Sequence, residues 1–147
     1  MEPLDRSYTC LRVLRALGVD DISLQTIFRS VAVAKLMHAS SAWLGFAGAS
    51  DRQRLAGAAF IRRSDRSRFV PANLPTFADL CRDADAKMFA AITRDCNHVL
   101  HHLLPPRSTG SQNYNLRQRT HDLALPSRTG HLTDNNFIQR MLHFDVY

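Results

Sequence analysis

The sequence predicts a mainly α protein. A small domain of four to five helices fills residues 1–106, and an extended or disordered basic tail over 107–147 ends in a short helix. Three observations carry that expectation. Apolar residues recur at three- and four-residue spacing through most of the chain before Pro106, with no sustained strand-type alternation and no internal repeat. Helix start signals precede the periodic runs, and Gly or Pro closes them. Beyond Pro106 the periodicity fades, and Gly110, Pro126 and Gly130 punctuate a polar stretch.

In the first helix, "YTCLRVLRALG" puts Leu11, Leu14 and Leu17 on one stripe, and Gly18 falls where a helix end adopts positive φ. Asp20 or Asp21 can cap a second helix, in which Leu24, Ile27, Phe28, Val31 and Ala34 recur up to about Ser41. Trp43 and Phe46 lie in a Gly-containing exit. "SDRQ" at 50–53 has the form of a capping box and opens a third helix, roughly 51–63. Gly57 weakens it by about 1 kcal/mol against alanine. Pro71 and Pro75 bar a helix from the basic connector "RRSDRSRFVPANLP".

Thr76 and Asp79 form a second capping box before a stripe of Phe77, Leu80, Cys81, Ala84, Met88, Ala91 and Ile92. Asp79, Asp83, Asp85 and Lys87 fall mostly off that stripe. "NHVLHHLLPP" at 97–106 reads as a short helix capped by Asn97 and stopped by Pro105 and Pro106. Near the end, Thr133 or Asp134 can cap "NNFIQRMLHF", whose Phe137, Ile138, Met141 and Leu142 need a surface to pack on.

The 147 residues are enough for one domain with a core. The net charge is +6, and seventeen of the nineteen basic residues are arginine, Lys35 and Lys87 being the exceptions. The guanidinium fork matches phosphate and stacks on bases, so this balance points to the backbone of RNA or DNA as partner. A solubilising charge surplus fits the same composition. Cys10, Cys81 and Cys96 are odd in number, widely spaced and without a CxxC pair, which does not read as a disulfide framework or zinc knuckle. "MEPLDRSYTC" is too acidic and polar for a signal peptide. The apolar run 31–49 carries Lys35, His38 and two serines, which makes a bilayer span costly. The expectation is a reduced, intracellular protein, nuclear or cytoplasmic, with no membrane partner.

His98, His101 and His102 have the i, i+3, i+4 spacing of one helix face. Val99, Leu100, Leu103 and Leu104 fill the other sector, so the histidines form the polar back of an amphipathic segment and a candidate pH-sensitive surface. A zinc site needs a third or fourth ligand at a workable spacing; Cys96 and Asp95 adjoin but cannot all converge on one ion, so a metalloenzyme using the histidines ranks behind a solvated helix face. The window 52–68 gathers Arg52, Arg54, Arg62, Arg63, Arg66 and Arg68, with Asp51 and Asp65 alongside. Such clusters hold phosphates through charge-assisted bonds. Only Phe60 and Phe69 interleave, so base stacking has little support, and a solvated basic face fits equally. In "YNLRQRTH", Arg117 and Arg119 sit beside Tyr114, and alternate residues of an extended chain point the same way. There is no Gly-x-Ser-x-Gly elbow and no glycine-rich phosphate loop. Asp20 and Asp21 suit a cap better than a two-metal carboxylate pair. No catalytic residue, cofactor or metal ligand is expected.

"LRVLRALGVDDISLQTIFRSVAVAKLMHASSAWLGFAGASDRQR" resembles the stretch after the palm in reverse transcriptases of jockey-like non-LTR retrotransposons. The resemblance runs on through "AFIRRSDRSRFVPANLPTFADLCRDADAKMF", "NHVLHHLLPP", "YNLRQRTHDLALP" and "LTDNNFIQRML", from about Tyr8 onward. In that family the stretch forms the helical thumb and its continuation. The family's aromatic-x-Asp-Asp turn does not occur here, "LAGAAF" is longer than the family's spacing, and Gln118 and Gln139 stand where Pro is frequent. The resemblance therefore implies a non-catalytic, thumb-like piece of an RNA-directed DNA polymerase that helps hold template and nascent strand beside a palm supplied elsewhere. The residues expected to touch phosphate are Arg52, Arg54, Arg62, Arg63, Arg66 and Arg68, then Arg117 and Arg119. Apolar faces that pack on a palm in the family would favour self-association without it. The rival expectation is a small helical protein-interaction module, or a retroelement relic without present function.

Overall fold

The computed structural model describes residues 3–56, 59–108 and 121–144, and omits the side chains of 3, 4, 54–56 and 59. The fold is mainly α, as the periodicity predicts. The chain divides into two compact units, Met1–Ser40 with Ala47–Cys81, and Ser41–Phe46 with Arg82–Tyr147. The division falls inside the short helix α4 (Ser40–Trp43) and inside a long later helix, rather than at Pro106.

In the first unit, α1 (Pro3–Ala16) begins well before the stripe that announces it, with a proline at its first position, where the fixed φ suits a helix start. Leu11 is buried and Leu14 packs at the edge of the core, but Leu17 is 75% exposed. The reason is the helix end. Gly18 takes φ +88, its N–H reaches the Arg15 carbonyl at 3.0 Å, and the Val19 N–H reaches that of Leu14 at 3.1 Å. This is a Schellman turn, and it carries Val19 rather than Leu17 onto the core.

Asp20 is the cap of α2 (Asp21–Ile27), its carboxylate accepting the Ser23 N–H at 3.0 Å. That bond holds the Asp20 carboxyl below the ordinary aspartate range. The helical path then widens into a π turn, Phe28–Val33, before α3 (Ala34–Met37). A π turn adds a residue, and each extra residue rotates the downstream side chains by about 100°. The expected stripe is displaced accordingly: Val31 and Ala34 are exposed, whereas Ala32 is buried and Val33 packs on the core. The path ends at Met37, short of Ser41, because His38 has ψ 120 and Ala39 turns back at φ 51.

The third predicted helix is described as α5 (Ala49–Ala56) and α6 (Ala59–Arg66). Gly48 supplies the carbonyl that accepts the Arg52 N–H at 3.0 Å, so Ser50 lies within the first turn and is not the cap. α6 ends in a second Schellman turn. The Phe69 N–H reaches the Ser64 carbonyl at 3.0 Å, the Arg68 N–H reaches that of Asp65 at 2.8 Å, and Arg68 occupies the left-handed position at φ 55. The turn delivers Phe69 into a core with Leu11, Leu24, Phe28, Ala32 and Phe60. The Phe28 and Phe60 rings stack there at 5.9 Å.

The long helix, α7 (Phe77–Arg94), opens with the predicted box: the Asp79 N–H donates to Thr76 Oγ1 at 3.2 Å, and that hydroxyl donates to Asp79 Oδ2 at 2.6 Å. In the second unit it buries Asp85, Phe89 and Ile92, while Ala91 is exposed. Asp85 is thus on the packed face, contrary to the expected stripe. After Arg94, Asp95 Oδ1 accepts the Asn97 N–H at 2.9 Å, so Asn97 caps nothing, and 97–104 form turns with one 3-10 segment, His101–Leu103. The chain then pairs briefly with itself, the Ser108 N–H reaching the Asp122 carbonyl at 2.7 Å and the Ala124 N–H that of Pro106 at 2.8 Å. Two short helices come next, α8 (His131–Asp134) and α9 (Phe137–Leu142). α9 is capped by Asn136, which accepts the Ile138 N–H at 3.1 Å, instead of by Thr133 or Asp134.

The described part of the expected tail is not free of packing. Leu123, Phe137, Met141 and Leu142 join Phe89 and Ile92 in the second core. Polar composition hides this because few apolar residues are needed when a helix such as α7 already offers an apolar face.

The paired Schellman turns make opposite predictions. A left-handed non-glycine residue costs about 1 kcal/mol. Gly18→Ala, with nothing within 4 Å of the added methyl, should destabilise by about that amount through backbone strain alone. Arg68→Gly should stabilise by about 1 kcal/mol. Urea unfolding followed by circular dichroism measures both.

Candidate functional site

The expected phosphate-contacting arginines do not act as one group. Arg52 is exposed but folds back on its own helix start, Nε donating to the Ala47 carbonyl at 3.0 Å. Arg54 has its backbone in α5, and its side chain lies outside the described residues, as do Arg117 and Arg119 entirely. On α6, Phe60 and Ser64 point inward at i, i+4, so Arg62 and Arg66 share the outward face. Neither forms an ion pair among the described residues. Arg68 comes after them, exposed, at the left-handed turn. Asp65 adds one negative charge nearby, forms no ion pair with any of them, and lines a cleft with Ile61 and Val70.

Arg63 turns the other way, onto α1. Its guanidinium lies 4.5 Å from the Tyr8 ring centre and pairs with the Asp5 carboxylate. The Tyr8 ring meets the Phe69 ring edge-on at 5.8 Å, and the Tyr8 hydroxyl is 3.0 Å from Ser67 Oγ. Beyond Phe69 comes Arg15, 4.4 Å over that ring, bonded to the Ser67 carbonyl and, at 2.7 Å, to Asp21. Two guanidiniums therefore clasp two rings, and each is closed by a carboxylate. A cation over an aromatic face contributes about 0.5–1 kcal/mol at a partly exposed site. Arg63 is thus a strut between α1 and α6, which removes it from a free phosphate-binding set.

The histidines are also differently arranged than an α-helical wheel implies, because 97–104 is not an α-helix. His98 Nδ1 accepts the Leu100 N–H at 3.1 Å, whereas His101 Nδ1 donates to the Ile92 carbonyl at 2.7 Å. The first ring is bare at Nδ1 and the second is protonated there, so both nitrogens are spent on backbone. His102 is exposed. Among the described residues no three His, Cys, Asp or Glu side chains are grouped to hold a metal ion.

The second unit has a buried ion pair that sequence reasoning misses. Arg140 Nη1 donates to Asp85 Oδ2 at 2.7 Å, and Nη2 donates to the Ser41 carbonyl at 3.2 Å. Asp85 is only 4% exposed. The segment 41–46 also runs close against Asn135, because a methyl on Gly45 would sit 2.0 Å from the Asn135 carbonyl oxygen and 3.2 Å from Arg140 Nε. The partners stand 55 residues apart, so no local spacing announces them; the only signal is a carboxylate on the flank of an apolar stripe.

No family, curated protein or solved structure matches the chain. No helix among the described residues is long and apolar enough to cross a membrane.

Arg140→Met alone should cost about 3 kcal/mol, because it leaves Asp85 buried and uncompensated. Asp85→Leu combined with Arg140→Met should recover most of that loss, since a buried pair is often replaceable by apolar residues. Chemical denaturation of the three chains measures the difference, and a double variant no better than the single one would show that the pair is needed as such.

Proposed function

We propose that the chain is a non-catalytic, thumb-like helical piece of a retrotransposon-type RNA-directed DNA polymerase that contacts the phosphate backbone of RNA or DNA without reading sequence. The observation that carries this reading is the outward face of α6. Arg62, Arg66 and the adjoining Arg68 are exposed and free of ion pairs among the described residues. Exposed guanidiniums on a rigid helix can each take a phosphate through two parallel bonds, and such contacts position a strand without specifying bases. The resemblance of the sequence to the post-palm region supplies the context, with the palm and its chemistry lying outside these residues. Arg63 is left out of the contacting set because Asp5 and Tyr8 already hold it.

A second reading, a helical interaction module, rests on a different surface. Val13, Leu17 and Ile22 are 53%, 75% and 77% exposed around the turn from α1 to α2. These side chains would pack on a palm or on a second copy.

Filter binding of labelled single-stranded RNA across a salt series separates the two. The phosphate reading predicts affinity falling steeply as salt rises. Substituting Arg62, Arg66 and Arg68 together by Gln should reduce the slope of log affinity against log salt by about 2, at roughly 0.7 per phosphate lost. Arg52→Gln should leave it nearly unchanged. Absence of binding at low salt would leave only the interaction module.

A further inference from the structure

The first unit holds a cavity of about 240 Å³ that phosphate contact does not use. Its apolar wall comes from Ile27 and the π-turn residue Val31, backed by the buried Leu11, Phe28 and Ala32, and its polar rim from Arg6, Cys10 and Lys35. The π turn forgoes regular helix geometry and in doing so shapes one wall of the cavity; such insertions recur at functional sites. The rim carries two cations and no carboxylate among the described lining residues. Neither cation is ion-paired among the described residues. Lys35 is not loose in solvent, for its Nζ donates at 3.0 Å to the hydroxyl of Ser7, which is 8% exposed and also lines the cavity.

A molecule that fills this space must be apolar along its length and anionic at one end. Burying the tail removes apolar surface from water, and the head meets fixed positive charge. Size narrows the class. A cavity of about 150 Å³ lined by apolar side chains takes benzene, so about 240 Å³ takes roughly ten non-hydrogen atoms. We propose that the cavity binds a medium-chain carboxylate, with its tail against Val31 and Ile27, the apolar lining side chains that keep open surface, and its carboxylate on Lys35 and Arg6.

Cys10 gives a direct readout. It is an exposed thiol on the rim, and Cys96, exposed in the second unit, is an internal control. The full chain is alkylated with iodoacetamide with and without octanoate, and the two labelled peptides are quantified by mass spectrometry. Octanoate at about four times its dissociation constant should slow Cys10 labelling about fivefold and leave Cys96 unchanged. Octanol, with a tail of the same length and no charge, should need about tenfold more for the same protection. Lys35→Gln, checked for unchanged helical dichroism, should weaken octanoate protection about tenfold. If Lys35→Gln loses helicity, the exposed Arg6→Gln takes its place in the same comparison. Cys10 labelling unaffected by octanoate overturns the proposal, as does equal protection by octanol or undiminished protection in the charge variant.

Discussion

The clasp of Arg15 and Arg63 around Tyr8 and Phe69 is the interaction on which the first unit depends. Among the described side chains of helix α1, Leu11 is the one buried apolar residue, which is a small anchor for a fourteen-residue helix. The clasp adds a second attachment, made of side chains with both apolar and polar parts. The rings bring apolar area, the guanidiniums cover their faces, and Asp5, Asp21 and the Ser67 carbonyl each accept a guanidinium N–H. It also requires the left-handed turn at Arg68, because only that turn brings Phe69 back under Arg15. A strained backbone position is thereby tied to the packing of two helices.

The same chemistry recurs in the second unit with a different balance. Arg140 also lies near an aromatic ring, 6.0 Å from that of Phe137, but its carboxylate partner is buried. Desolvation makes such a pair expensive to form and more expensive to break, so Asp85 and Arg140 specify which segment sits on α7 more than they stabilise it. Gly45 and the Ser41 carbonyl show which segment that is. Both units thus draw on an arginine-rich composition for internal struts. The charge left for a partner is correspondingly smaller than the net charge suggests, and Arg62 and Arg66 on the outer face of α6 are part of it.

Much of the architecture is legible in the sequence where physical signals are local. The mainly α class, the Asp20 cap, the Gly18 turn and the Thr76–Asp79 box all rest on contacts within a few residues, and each is present. What escapes is non-local or depends on a register change. The π turn moves Val31 and Ala34 out and Ala32 in, and nothing in the spacing of 24–34 marks the inserted residue. Asp85 looks solvated because its partner lies on the last helix. The histidine wheel fails because Asn97 caps nothing and 97–104 form turns with one 3-10 segment. For the candidate phosphate contacts, the sequence locates the arginine window but cannot separate Arg62 and Arg66 from Arg63. That distinction depends on Tyr8, which is remote along the chain.

The functional reading stands on the division of arginines into held and free, and guanidinium NMR reports on that division residue by residue. Rotation about the Cζ–Nε bond and exchange of the Nη protons can be read for each arginine of a labelled chain. Arg15, Arg63 and Arg140 should show slowed rotation and distinct, protected Nη protons, while Arg62 and Arg66 show averaged, rapidly exchanging ones. Equal averaging across all five would mean that the clasp and the buried pair do not hold their guanidiniums.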